Sequence, residues 1–174
     1  MNEDLKSPRE TFKILCYPHD SLRRKAQPVR EINDAVVRRA EAMLETMYAA
    51  EGVGLAAPQV GWNARVFVID ADQEHSGPRI WFNPKIISTE GAEESEEGCL
   101  SLPGIRQPVL RPARVRVAAY DVDGRRHEMT LEGLFARAWQ HETDHLDGIL
   151  FIDHLSAVSR LRIRAQMKAL ERQA

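Results

Sequence analysis

Gln140-His141-Glu142-Thr143-Asp144-His145 stands inside a segment, residues 131–146, whose apolar positions recur at helical spacing. Residues four apart on a helix share a face, so His141 and His145 can reach one cation while Glu142 stands beside it. A cation held by neutral imidazoles can activate water, and an adjacent carboxylate can move the proton. The competing reading has both histidines packing or capping, with nothing bound. Leu134, Phe135, Ala138 and Trp139 fall on the expected buried side, with Trp139 as the core anchor, and Asp147-Gly148 ends the helix.

Outward from that segment, the chain of 174 residues suits one domain with a proper core. Its apolar share of 43% is ordinary, and a net charge of -2 makes no bulk electrostatic case for nucleic acid. No apolar run has the length of a membrane span, and residues 1–10 form a loose polar extension without a secretory apolar stretch. A cytoplasmic protein with reduced thiols is the expectation. Of the two cysteines, Cys16 lies in an apolar run and reads as a small core residue.

Residues 12–17 read as a short strand closed by Pro18. Asn33 or Asp34 can cap a helix running to about Ala50, with Val36, Val37, Ala40, Met43, Leu44, Met47 and Tyr48 on one face. A glycine-spaced loop, Gly52-Val53-Gly54-Leu55-Ala56-Ala57-Pro58-Gln59, follows. Strand patterns occupy 64–70 and 80–87, joined by a polar connection over 72–78, and 114–120 pairs with 126–130 across Asp123-Gly124. Residues 90–97 are an acidic stretch, and Ser156 or Ser159 opens a C-terminal helix over 156–172. The fold class is α+β: mostly antiparallel strands packed around a central metal-binding helix, with one helix N-terminal and one C-terminal to it, in a single domain over 1–174.

A mononuclear catalytic site takes three protein ligands and leaves one position open. The third donor is a carboxylate or a thiolate, and Cys99 sits in a glycine-flanked turn, Glu97-Gly98-Cys99-Leu100-Ser101, where Gly98 lets backbone approach closely. That motif, the 52–59 loop and the 140–145 motif, in this order and at these separations, resemble the three signature motifs of the peptide deformylases, and the resemblance runs from about Phe12 to the last helix.

The resemblance implies roles residue by residue. Cys99, His141 and His145 would hold one divalent ion, Fe(II) natively, with nickel, cobalt or zinc able to substitute. Glu142 would be the general acid and base, and Gln59 with the backbone N–H of Leu100 would face the developing oxyanion. Gly54 and Gly98 resemble positions where substrate backbone runs alongside, and Val53, Leu134 and Ala138 resemble the methionine side-chain pocket. Arg106 would meet peptide carbonyls, and Glu97 and Asp144 would orient an imidazole. The implied activity is removal of the formyl group from the N-terminal formylmethionine of new polypeptides, releasing formate. The implied partners are nascent formyl-Met peptides and, through Arg160, Arg162, Arg164, Lys168 and Arg172 of the last helix, the ribosome; no membrane or specific DNA is expected, and the chain is expected to act as a monomer.

Two rivals are distinguishable. A zinc metallopeptidase would take its third ligand downstream, from His154 or Glu171. A deformylase-like binder without activity would release no formate.

Overall fold

The computed structural model describes residues 11–71 and 79–173. The helices are α1 (Asp34–Ala49), α2 (Gly133–Leu146) and α3 (Ala157–Gln173); the strands are β1 (Gly54–Ala56), β2 (Val66–Ile69), β3 (Ile80–Glu90), β4 (Glu93–Cys99), β5 (Leu102–Arg111), β6 (Arg114–Tyr120) and β7 (Arg126–Glu132). Five strands form one antiparallel sheet in the order β1-β2-β3-β6-β7, and β4-β5 form a separate antiparallel pair. The α+β class therefore holds.

The alternation within β2 shows why the larger sheet lies between helices. Phe67 and Ile69 join Trp81, Val117 and Trp139 in the cluster on the α2 side. Val66 and Val68 face the other way, into a cluster with Ala40, Met43 and Met47 of α1. All four residues of β2 are buried, as a strand covered on both faces requires. Trp139 is fully buried, its ring 5.0 Å from Phe67 and 5.1 Å from Trp81. A third cluster joins Leu102, Ile105 and Val109 of β5 to Phe151, Ile163 and Leu170, so α3 packs on the smaller sheet.

Local chemistry sets the ends of these elements. Asn33 caps α1, its Oδ1 accepting from Val36 N at 3.1 Å. Ser156 does the same for α3, accepting from Ser159 N at 3.2 Å. At the end of α2, Gly148 has φ 74°, and a Cβ there would stand 2.6 Å from the Arg23 carbonyl oxygen, so glycine is required on both counts.

Several expectations change. Residues 12–17 form no strand: Leu15 N bonds Gln59 O and Tyr17 N bonds Ser101 O, an extended segment tethered at intervals without a ladder. Cys16, which falls between those tethers, is exposed and not a core residue. Leu131 belongs to β7, whose alternation buries it, so α2 starts two residues later than its apolar pattern suggests. The acidic stretch runs from the end of β3 at Glu90 across a turn into β4, whose glutamates tolerate the ladder because most face water. Leu134 is 56% exposed instead of joining the buried side of α2. The 1–10 extension and the 72–78 connection lie outside the described residues.

Candidate metal centre

Cys99 closes β4, at a register shift that follows Gly98 and turns the chain back into β5. His141 and His145, one turn apart on α2, present rings 4.9 Å between centroids. Cys99 Sγ lies 3.3 Å from His145 Nε2, and one donor atom from each of Cys99, His141 and His145 lies within 4.8 Å of the others. These are the residues, among those described, whose donor atoms converge as a ligand group.

The surroundings define which atoms are free. Glu97 Oε2 lies 3.0 Å from His141 Nδ1. Burial alone would raise the Glu97 carboxyl, but bonds from His141 and Arg111 more than offset this and hold it down to about 2. An ionised carboxylate can only accept, so His141 Nδ1 carries the proton and Nε2 is left for a ligand. Burial lowers the pKa of His145 well below the usual imidazole range, keeping it neutral. Its Nδ1 is buried without a partner. The Cys99 sulfur accepts from Ser101 N at 3.4 Å and from Gln59 Nε2 at 3.6 Å, contacts that fix its position. A cysteine sulfur and two imidazoles that converge this closely fit a borderline divalent cation.

Glu142 is 4% exposed, and its Oε2 has no partner. Burial raises its carboxyl to about 7, against a smaller downward pull from His141. Room for it exists because residue 54 is glycine: a Cβ there would stand 2.3 Å from Glu142 Oε1. Gln59 is fixed end for end. Its Oε1 accepts from Ala56 N at 2.8 Å, so Nε2 points toward Ser101 Oγ (3.0 Å) and Cys99.

A cavity of about 660 Å³ opens above these groups. It brings together Val53, Gly54, Gln59, Gly98, Cys99, Leu100, Arg106, Leu134, Ala138, His141 and Glu142, which is every residue singled out in the sequence for ligation, catalysis or substrate except His145. Val53 (47% exposed) and Leu134 make an apolar rim, and Ala138 is buried below. The Arg106 side chain is open to water and loosely paired with Glu96 at 3.4 Å.

Not every expectation survives. Asp144 orients no ligand imidazole; its Oδ2 meets Arg111 Nη1 at 2.8 Å and His154 Nε2 at 2.7 Å. His154 and Glu171 are outside the ligand group, the latter accepting from the Tyr17 hydroxyl at 3.1 Å, which removes the geometric basis for a downstream third ligand. Arg111, Arg137 and Gln166 are among the cavity and support residues that escaped the sequence reading. For Arg137 a signal exists, because it lies one helical turn before His141 on the same face.

Taken together, a cysteine sulfur and two imidazoles converging beside a buried carboxylate raised to about 7 define the class as a metallohydrolase. A profile of the polypeptide deformylase family matches residues 11–161. A peptide deformylase of Alkalilimnicola ehrlichii is 50% identical over 161 residues, covering 92% of this chain and 90% of that protein. One from Nitrosococcus oceani is 46% identical over 159 residues, covering 91% and 95%. Among solved structures, the peptide deformylase of Legionella pneumophila superposes with a TM-score of 0.85 at 41% identity, covering 94% of this chain and 97% of that one. The Thermus thermophilus peptide deformylase gives 0.87 at 43%, covering 95% and 100%. The chain belongs to the polypeptide deformylase family.

Proposed function

We propose that this chain removes the formyl group from the N-terminal formylmethionine of new polypeptides, releasing formate and a free amine, with one divalent ion held by Cys99 Sγ, His141 Nε2 and His145 Nε2. Fe(II) is the native ion in this reading, and nickel, cobalt or zinc substitutes. Bound there, the ion supplies a Lewis acid that makes water nucleophilic at neutral pH.

The remaining work falls to side chains and backbone. Glu142, with its carboxyl raised to about 7, is poised to take the proton of the attacking water and pass it to the departing nitrogen. Gln59 Nε2 and the Leu100 N–H donate to the oxygen on which negative charge develops, and each such donor is worth about 10²–10³ in rate. Gly54 sits on β1, an edge of the larger sheet, and Gly98 on β4 of the smaller one. Substrate backbone pairs between those edges as an added strand, with Arg106 meeting its carbonyls. Val53, Leu134 and Ala138 take the methionine side chain, whose burial contributes about 1.5–3 kcal/mol.

On α3, Val158 and Leu161 are 60% and 65% exposed beside Arg160, Arg162, Arg164, Lys168 and Arg172, a surface suited to ribosomal RNA near emerging chains. No helix among the described residues is long and apolar enough to cross a membrane, and a cytoplasmic monomer accords with the rest.

The observation that carries this reading is the convergence of Cys99, His141 and His145 beside Glu142. Its test is formate release from formyl-Met-Ala-Ser by metal-loaded protein and by Glu142→Ala. The variant is expected to keep its metal and lose at least about 10² in turnover. A fully active variant removes Glu142 from the mechanism.

A further inference from the structure

The three ligands come from two separate elements. Cys99 rides on the β4-β5 hairpin, whereas both histidines ride on α2. A binding constellation tolerates errors of only about 0.5 Å, so something must fix the hairpin against the helix. The sulfur's own contact with His145 cannot do this, because Cys99 Sγ and His145 Nε2 are the atoms that would hold the cation.

Arg137 makes that connection. It is 9% exposed, projects from α2 one turn before His141, and lines the cavity. Its Nη1 donates to Glu97 Oε1 at 2.7 Å and to the Val109 carbonyl at 3.0 Å; its Nη2 donates to the Glu93 carbonyl at 2.8 Å. One guanidinium thus grips β4 at two residues and β5 at a third. The carboxylate it holds is the one that orients His141, through Glu97 Oε2 at 3.0 Å. Arg111 answers from the other side, donating from β5 to Glu97 at 2.5 and 2.9 Å and to Asp144 on α2 at 2.8 Å. Two cations therefore balance two carboxylates in a buried cluster, and Glu97 stays an acceptor for His141.

We propose that Arg137 is a positioning residue for the metal centre: its planar fork locks the hairpin carrying Cys99 to the helix carrying His141 and His145, and so sets the spacing of the ligand triad. The proposal rests on the metal-site reading above. A lysine cannot reproduce the function, because a single ammonium cannot span carbonyls on two strands and a carboxylate in one fixed geometry.

The test reads metal binding, not turnover. Chelator-stripped protein is titrated with Co(II) against a competing chelating dye, and the thiolate-to-cobalt absorption band is recorded for wild type, Arg137→Met, Arg137→Lys and Trp139→Phe. Arg137→Met is expected to bind Co(II) about 10–100-fold more weakly, with a shifted or broadened sulfur band, and Arg137→Lys to fall between it and wild type. Trp139→Phe, on the core side of the same helix, is expected to melt at lower temperature yet keep the wild-type affinity and band, which separates positioning from general loss of stability. If Arg137→Met binds Co(II) within about threefold of wild type and shows the same band, the proposal is overturned and the metal-site reading stands. If wild-type protein takes up Co(II) without a sulfur band, or not at all, both fail.

Discussion

Replacing Gly54 by alanine changes one methyl group and leaves every proposed ligand in place. A Cβ there would stand 2.3 Å from Glu142 Oε1, 2.9 Å from Cδ and 3.0 Å from Cγ. Because the whole end of the side chain is crowded, a rotation of the carboxylate alone does not clear it. Glu142 must withdraw by about 1 Å to regain ordinary contact, and misplacing a catalytic group on that scale costs about 10²-fold in rate. That loss corresponds to ~2.7 kcal/mol of barrier. Gly54 has no positive φ, so alanine fits the backbone and the pairing with Ile69 persists. The expected outcome is Gly54→Ala protein with wild-type metal content, destabilised by no more than about 1–3 kcal/mol, but about 100-fold slower in formate release at saturating formyl-Met-Ala-Ser. A variant within about threefold of wild type would refute the reasoning, because the carboxylate would then not need the position in which it is found.

Two further substitutions test the frame around the site. Asn83 has φ 50°, and its side chain accepts from Val29 N and donates to Val29 O, both at 2.8 Å; Asn83→Ala should cost about 2–3 kcal/mol and lower the melting temperature by about 4–10 °C, and an unchanged melt would contradict this. Burial pushes the Asp153 carboxyl up, but the Arg23 guanidinium, at 2.5 and 3.2 Å, and the Leu150 N–H outweigh it and hold the pKa below the ordinary value. A carboxyl with a lowered folded pKa contributes stability above its unfolded value, about 3.9, and loses it as pH falls through the folded one. Arg23→Ala should therefore be less stable than wild type at pH 7, by less than about 1 kcal/mol for so exposed a pair, and the gap should close in acid; a gap that widens in acid would be inconsistent with it.

What the sequence made legible follows from how local each signal is. The cap of α1 at Asn33 and the turn at Asp123-Gly124 are decided within a few residues, and both stand where the pattern puts them. The smaller sheet was not legible, because β4 carries Glu93, Glu94, Glu96 and Glu97 and resembles a solvated stretch until its partner β5 is known. Leu134 shows the same limit from the other side. Helical spacing places it with the core residues of α2, yet it faces the open cavity, and periodicity cannot tell a buried face from one kept for a ligand. Leu131 fits helix and strand patterns alike, and pairing with Val115 decides for β7. At the site, motif spacing named the residues that now meet at one cavity, but not Arg111 or Arg137. Composition gives no sign of a buried arginine, since arginine is by default a surface residue, and the one-turn spacing of Arg137 from His141 places it on the site's face without showing what it binds. Its partners, Glu97 and the Glu93 and Val109 carbonyls, are 28 to 44 positions away in the chain.

The account depends on a cation gripped by one sulfur and two imidazoles, and X-ray absorption at the metal edge reads that directly. For protein loaded with one equivalent of zinc, the account predicts one sulfur neighbour at about 2.3 Å and two imidazole nitrogens at about 2.0–2.1 Å, with the sulfur signal and the bound metal both lost in Cys99→Ala. A first shell of nitrogen and oxygen only, unchanged by Cys99→Ala, would contradict it.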